Sequence, residues 1–364
     1  MNKGPTDHSR RDTVKQKRKK PTWKRLLAYT GIGIAAVVVV AAGLGFYEYQ
    51  RLQPKNHFKN LPTVAPTGTV TAANTTFSTI SSKSTASKPT SSEAPGVFNV
   101  LLFGSDARPT GSGSGLSVAD SHTDSIILIH VNLNTHQYNM LSIPRDTRVY
   151  MPGFGHTKIT SVQILAQTKL GPKQGTLYAV QFISKFTGVP INYYAETNYW
   201  GLQAMVNAIG GITMNLPFPV TLTHPWYTQD AGMKFSAGPH FLNGRLVAEV
   251  VHERFSVPGT DYGRQKLQAA ALKGIAKAVM QPSNLTKLPQ LSRSVSQYLM
   301  DTNMTPQDFI SIGLGVKGDF HSSQIHYYQV SGKGELIYND PLGAMDDEII
   351  LNMNQLKQII HAHF

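Results

Sequence analysis

The chain contains no cysteine among its 364 residues. A disulfide framework, a thiolate metal site and a thiol nucleophile are therefore excluded, and cysteine usage says nothing of the redox compartment. The phosphate-binding G-x-x-x-x-G-K-[ST] loop is missing, as is a G-x-G-x-x-G turn after a strand, so the common nucleotide cradles are absent. Its 13 histidines include no H-x-x-x-H or H-E-x-x-H pair on a helix-like stretch. The nearest approach, His252-Glu253, lacks the second imidazole.

Charge is also scarce where a nucleic-acid-binding domain would need it. The formal net charge is +13, but residues 1–25 carry ten Lys/Arg and two Asp, and the other 339 residues hold only +5. The high isoelectric point belongs to a tail rather than a fold, and no sequence-specific nucleic-acid recognition is expected. Residues 26–47, LLAYTGIGIAAVVVVAAGLGFY, contain no charge at all. At about 1.5 Å per residue such a helix reaches roughly 30 Å, the thickness of a bilayer's hydrocarbon core. A cleaved signal peptide is the alternative, but the long basic region and long apolar run favour a retained anchor. Lys24 and Arg25 before the span place the N-terminus in the cytoplasm and everything after residue 47 outside. The basic tail then has anionic membrane lipids as partners. Residues 61–96 are dominated by Thr, Ser, Ala and Pro, with Phe77 as their one aromatic. Such a segment cannot bury enough area to offset chain ordering and reads as a flexible stalk. The expected organisation is a cytoplasmic tail (1–25), a transmembrane helix (26–47), an external stalk (48–96) and one domain (97–364).

Within that domain, strand-like runs occupy 98–104, 125–131, 138–143, 191–195 and 325–330, and helix-like stretches occupy 174–187, 199–209, 264–280 and 353–362. Gly188, the Gly210-Gly211 pair and Pro282 stop the first three helices. Interleaved strands and helices predict an α/β or mixed α+β domain built on a central mixed sheet. In 264–280, Leu267, Ala270, Ala271, Ile275 and Val279 form one apolar stripe, which reads as core packing.

Three of the strands meet acids and arginines at their ends: FNVLLFGSDAR (98–108), HTDSIILIHV (122–131) and YNMLSIPRD (138–146). An antiparallel hairpin of 125–131 with 138–143 across NLNTHQ brings Asp124 beside Arg145. If 98–104 runs parallel to 138–143 in the same sheet, Asp106 and Arg108 leave at that edge too. Two aspartates there repel unless a cation or arginines lie between them. Oxygen ligands without thiolate suit Mg²⁺ or Mn²⁺ shared with substrate phosphates, and Arg108, Arg145, Arg148, Arg254 and Arg264 are candidate phosphate donors. Each residue also has a plainer reading. Asp106 could form a local ion pair in a turn, Asp124 could cap one, Arg145-Asp146 could be a structural salt bridge, and Arg254 could sit on a solvated face. His122 could be a ligand, a phosphate donor or a surface residue.

Taken together, NVLLFGSDAR (99–108), TDSIILIHVN (123–132), LSIPRDTRV (141–149), TGVPINYYAETN (187–198), AIGGI (208–212), FSAGPHFLNG (235–244) and Asp261-Tyr262-Gly263-Arg264 resemble the LytR-CpsA-Psr family, in this order along the chain. The resemblance implies an Mg²⁺-dependent phosphotransferase of Gram-positive type, anchored in the cell membrane by one span with its domain outside. Such enzymes move a teichoic-acid or capsular-type glycopolymer from a polyprenyl pyrophosphate to a peptidoglycan hydroxyl. It implies that Asp106 and Asp124 hold the metal, that Arg145 and Arg254 grip the phosphates, and that Arg108 and Arg264 contribute at the pocket mouth. It also implies an apolar tunnel for the lipid, walled by the apolar faces of 174–187 and 199–209. The chain departs from the family where arginine is usual but His122, His252 and Leu267 stand, and at Lys158-Ile159-Thr160, where asparagine commonly ends the triplet. Imidazole is a weaker, pH-dependent phosphate donor than guanidinium, and leucine is none. A binding protein with weakened turnover, or a hydrolase that uses water as acceptor, are the alternatives.

Overall fold

The structure is a computed structural model that describes residues 44–64, 94–107, 122–285, 288–316 and 321–364. Residues 44–51 are helical and exposed, with Arg51 paired to Glu48 at 3.3 Å. The expected span lies outside the described residues except for 44–47, as does the stalk from 65 to 93. Among the described residues no helix is long and apolar enough to cross a membrane.

From Leu52 onward the chain forms one folded unit around a six-stranded mixed sheet. Its strands are β1 (Val97–Ser105), β2 (Thr123–Asn132), β3 (Gln137–Ile143), β4 (Tyr193–Asn198), β5 (Asp301–Thr302) and β6 (Ile325–Gln329), in the spatial order β5-β4-β1-β2-β3-β6. β2 pairs antiparallel with both β1 and β3, while β1–β4 and β3–β6 are parallel. β1 and β3 therefore run the same way with β2 between them, which brings the end of β1, the start of β2 and the end of β3 to one edge.

Continuous apolar runs form these strands because both faces of the sheet are covered. On one face Leu101, Phe103, Ile126, Leu128 and Ile143 pack under α1 (Ser161–Leu170) and α2 (Pro172–Thr187). On the other, Phe98, Val100, Ile127, Val131 and Met140 meet Ala269, Leu272 and Ala276. A second core beside the sheet gathers α3 (Tyr199–Ala208), α4 (Gly244–His252) and α5 (Asp261–Val279) around Val206, Val247, Val250, Leu267 and Ala271. Leu267 and Ala271 are buried, and Ala270, Ile275 and Val279 pack partly buried against the same core, as the stripe predicts. α6 (Pro306–Val316) and α7 (Met353–His363) complete the helices used below, and the Asn352 side chain caps α7 by accepting from Gln355 N at 3.0 Å.

Two expectations change. Residues 52–64, which the expected organisation places in the stalk, pack on the domain. Phe58 is buried against Phe98 and Tyr193, and Val64 bridges to Ile191. One aromatic in a polar stretch is enough when a matching hollow exists. The helix expected over 264–280 starts three residues earlier, so that Asp261–Arg264 is the first turn of α5.

α3 and α4 approach so closely that glycine is required at 244, where an added Cβ would lie 1.9 Å from the Gln203 carbonyl oxygen. Backbone cannot move aside as a side chain can. Gly244→Ala is therefore expected to destabilise the domain by about 1–3 kcal/mol, read as a lowered denaturation midpoint. An unchanged midpoint would mean that the two helices separate freely.

Candidate active site

The pairing of β1 with β2 shifts register between Gly104 and Ser105, where a Cβ on residue 104 would sit 2.8 Å from Ser125 Cβ. Beyond this bulge the two chain segments clasp each other. Asp106 N donates to the His122 carbonyl at 3.2 Å, and His122 N donates to Asp106 Oδ1 at 2.8 Å. The His122 Nδ1 lies 3.4 Å from Asp106 Oδ2. Burial opposes the charge on Asp106, but the hydrogen bonds and charge of His122 outweigh it and hold the carboxyl below its ordinary range. In return, its hydrogen bond to Asp106, with Asp124 adding attraction and Arg145 opposing, raises His122 above the usual histidine value. Both side chains are 43% exposed, so the pair faces solvent.

The β2–β3 hairpin sets Ile126 opposite Ile143, and the chain after Pro144 delivers Arg145 to Asp124 as the hairpin reading requires. Arg145 Nη1 donates to Asp124 Oδ1 at 2.6 Å. Its Nε lies 3.6 Å from Asp146 Oδ2 and 3.9 Å from Asp261 Oδ1. Burial works against this cation, yet Asp124, Asp146 and Asp261 together raise its pKa. The backbone locks the arrangement, because Thr160 N donates to the Arg145 carbonyl and Thr123 N to that of Thr160.

From the opposite side the first turn of α5 supplies Asp261 and Arg264. An acid in the first turn is favoured by the helix dipole, and Gln265 Nε2 holds its Oδ2 at 2.9 Å. Arg264, 4% exposed, pairs directly with Asp261 and donates from Nη2 to the Asp124 carbonyl at 3.1 Å. Burial, then the nearby Arg145 and Arg254, hold Arg264 below the ordinary arginine value against the pull of Asp261 and Asp124. The Nε atoms of Arg145 and Arg264 are buried without a hydrogen-bond acceptor. Donor capacity therefore remains unmet at the centre of the cluster.

α4 ends at the same place. His252 is exposed at its rim, and its ring rests against Trp226 at 5.5 Å between centroids. Trp226 in turn meets Tyr199 at 5.4 Å and Trp200 at 5.6 Å, making an aromatic wall. Partial burial of the ring, then the charge of Arg264, lowers the His252 pKa. Arg254 lies over the Phe255 ring at 4.9 Å and forms no ion pair among the described residues. Glu253 is not half of a zinc motif. It clamps a loop, accepting from Thr223 N at 2.7 Å, Phe255 N at 2.8 Å and Ser256 N at 3.0 Å.

Asp106, His122, Asp124, Arg145 and Arg264 are thus linked through direct contacts or shared fields; Arg254 acts on Arg264, and Arg264 in turn acts on His252. Arg148 is a correction. It does not join them, because its Nη1 pairs with the fully buried Glu348 and donates to the Tyr338 carbonyl at 3.0 Å. Asp146 takes the structural role left open for it, between Arg145 and Lys158. Arg108 lies outside the described residues. Sequence reasoning missed Asp261 as the shared partner of Arg145 and Arg264; its placement three residues before Arg264 at a helix start was the available signal. It also missed Gln163, which α1 buries beneath the edge to join Thr123, Thr176 and the fully buried Glu196.

The donor set fits an oxygen-seeking divalent ion only in part. Two carboxylates, Asp106 and Asp124, flank the edge, and no group of three His, Cys, Asp or Glu residues among those described has a metal-holding arrangement. Such a site suits an ion that completes its shell with phosphate oxygens and water, and does not suit a closed structural metal.

The model of the LytR_cpsA_psr family matches residues 66–358. The polyisoprenyl-teichoic acid–peptidoglycan teichoic acid transferase TagU of Enterococcus faecalis is 28% identical over 261 residues, covering 71% of this chain and 78% of that protein. TagU of Bacillus subtilis, described by the same name, is 29% identical over 240 residues, covering 66% and 70%. The crystal structure of B. subtilis TagV superposes with a TM-score of 0.58 at 22% identity, over 73% of this chain and 95% of that one, a likeness of fold.

Proposed function

The chain belongs to the LytR_cpsA_psr family, and from this premise we propose that it transfers a glycopolymer from a polyprenyl pyrophosphate to a hydroxyl of peptidoglycan. The observation that carries the reading is Arg145 held between Asp124 and Asp261, with Arg264 and Arg254 in reach and two arginine Nε donors unfilled. A pyrophosphate supplies the acceptor oxygens that such guanidinium groups lack.

In this reading the acceptor oxygen attacks the glycan-side phosphorus and the bond to the bridging oxygen breaks. Polyprenyl monophosphate leaves, the glycan becomes joined to peptidoglycan by a phosphodiester, and the hydroxyl proton is released. Arg145 and Arg264 hold the phosphate oxygens and meet the charge that grows on the bridging oxygen. Asp106, ionised and open to solvent, accepts a hydrogen bond from the attacking hydroxyl and orients it. A bound Mg²⁺ or Mn²⁺, with Asp106 and Asp124 as its protein ligands, would supply further neutralisation of the pyrophosphate. The apolar faces of α2 and α3 are assigned to the lipid, and residues 26–47 to a membrane anchor with the domain outside the cell.

The test is turnover of a polyprenyl-pyrophosphate glycan with and without peptidoglycan, in the native chain and in Asp106→Ala and Asp124→Ala. Each variant is expected to lose about a hundredfold or more in rate. Transfer that continued unchanged in both would sink the mechanism, and polyprenyl phosphate released equally without peptidoglycan would identify a hydrolase. His122 and His252, standing where the resemblance leads one to expect arginine, favour one second reading: a protein that holds the lipid pyrophosphate and turns it over slowly. Tight lipid binding without product at saturating Mg²⁺ would establish it.

A further inference from the structure

A second polar site lies at the opposite end of the sheet. There a cavity of about 480 Å³ is lined by His130, Asn139, His326, Tyr328, His361 and His363, among others. Its floor follows from strand register. Asn99, His130, Asn139 and His326 occupy one row across β1, β2, β3 and β6, with Asn132 opposite Gln137 farther along the same face. Nearer the site this face carries Leu128, Leu141 and Ile143, so it changes from apolar to amide and imidazole under the last turn of α7. Such a change is costly to bury unless each group finds a partner.

The partners define what the cavity offers. Asn99 Nδ2 donates to the Pro190 carbonyl at 2.9 Å, which turns its Oδ1 toward His130 Nδ1, also at 2.9 Å. His130 therefore carries its proton on Nδ1, and Nε2 is left as an acceptor. Asn139 Nδ2 donates to the His363 carbonyl at 2.8 Å, leaving its Oδ1 as an acceptor too. The Tyr328 and His363 rings stack at 4.2 Å with 18° between planes and form a flat wall. Burial lowers the His130 pKa, in keeping with a neutral ring. Among the described residues no Asp, Glu, Lys or Arg side chain lines the cavity, and no three histidines or acids are arranged to hold a metal.

We infer that this cavity binds an uncharged saccharide, whose hydroxyls pair with the carboxamides and imidazoles of the His130–Asn139–His326 row and whose ring lies along the Tyr328–His363 wall. Hydroxyls both donate and accept, matching a lining of neutral amides and imidazoles. The volume falls in the range of roughly 300–1,000 Å³ usual for small-molecule sites. From Asp124 to Asn132 the strand spans eight residues, roughly 26 Å, so the saccharide does not reach the phosphate chemistry. A glycan held at both points would present its reacting end at raised effective concentration. The inference does not depend on the proposed transfer, since a wall-binding protein would use the same cavity.

The probe is chitotriose, a neutral oligosaccharide, titrated calorimetrically into the full-length chain and followed by histidine ring resonances. Saturable binding is expected, with shifts at His130, His326, His361 and His363 and none at His122. The exposed-position variants His326→Leu and Gln137→Leu are expected to weaken it about tenfold each, while Arg145→Ala leaves it unchanged. Absence of saturable binding overturns the inference, as does native affinity in both cavity variants or an equal loss in Arg145→Ala. Binding of zinc chloride alone that abolishes the chitotriose response would make the cavity a metal site and overturn it equally.

Discussion

Arg145→Ala is expected to lower kcat/KM for the pyrophosphate-linked lipid by about a thousandfold, close to 4 kcal/mol of lost transition-state stabilisation. Two losses combine. The substrate loses the guanidinium best placed to follow charge onto the leaving phosphate, and the site loses the cation that keeps Asp124, Asp146 and Asp261 together. Asp261 keeps Arg264 and Asp146 keeps Lys158, but Asp124 loses its paired cation and would no longer be held in place. Arg145→Lys separates these contributions. Lysine restores the charge among the acids but not the planar pair of donors, so about a tenfold to hundredfold deficit is expected, chiefly in kcat. If the lysine variant were as poor as alanine while melting normally, planar recognition would be the whole role. If alanine retained full activity, Arg145 would be a structural cation only.

The parts of the site that rest on local pairing are legible in the sequence. A six-residue connection between two apolar runs implies a hairpin, and a hairpin implies that the residue before one strand meets the residue after the other; hence Asp124 with Arg145. Asp106 required a further step, because a bulge at Gly104/Ser105 decides where it emerges, and register alone does not show a bulge. Asp261 was harder still. Its value depends on α5 crossing under the sheet so that its first turn points at Asp124, a packing relation over more than 130 residues that periodicity cannot express. Phe58 failed for the opposite reason: its neighbours are polar, and only the hollow formed by Phe98 and Tyr193 gives it a place in the core.

Arg148 shows how one residue type carries two jobs within four positions. It follows Arg145 closely and looks equally able to hold phosphate, yet its guanidinium is committed 200 residues away to Glu348, which is fully buried. Glu348 sits on the hairpin Gly332–Asn339 with Ala344–Leu351, and Asn339 Nδ2 donates to its other oxygen at 2.9 Å. Arg148→Ala would leave that carboxylate in the interior with its cation removed. The expected cost is about 3–5 kcal/mol of unfolding free energy, the range seen when one member of a buried ion pair is deleted. Arg148→Ala with Glu348→Leu should recover much of the loss, because an apolar pair does not pay for desolvated charge. Activity per folded molecule should change little in either variant, in contrast to Arg145→Ala, where activity falls first. Denaturant unfolding with turnover normalised to the folded fraction distinguishes the two arginines. A large fall in kcat with unaltered stability in Arg148→Ala would return this residue to the phosphate site.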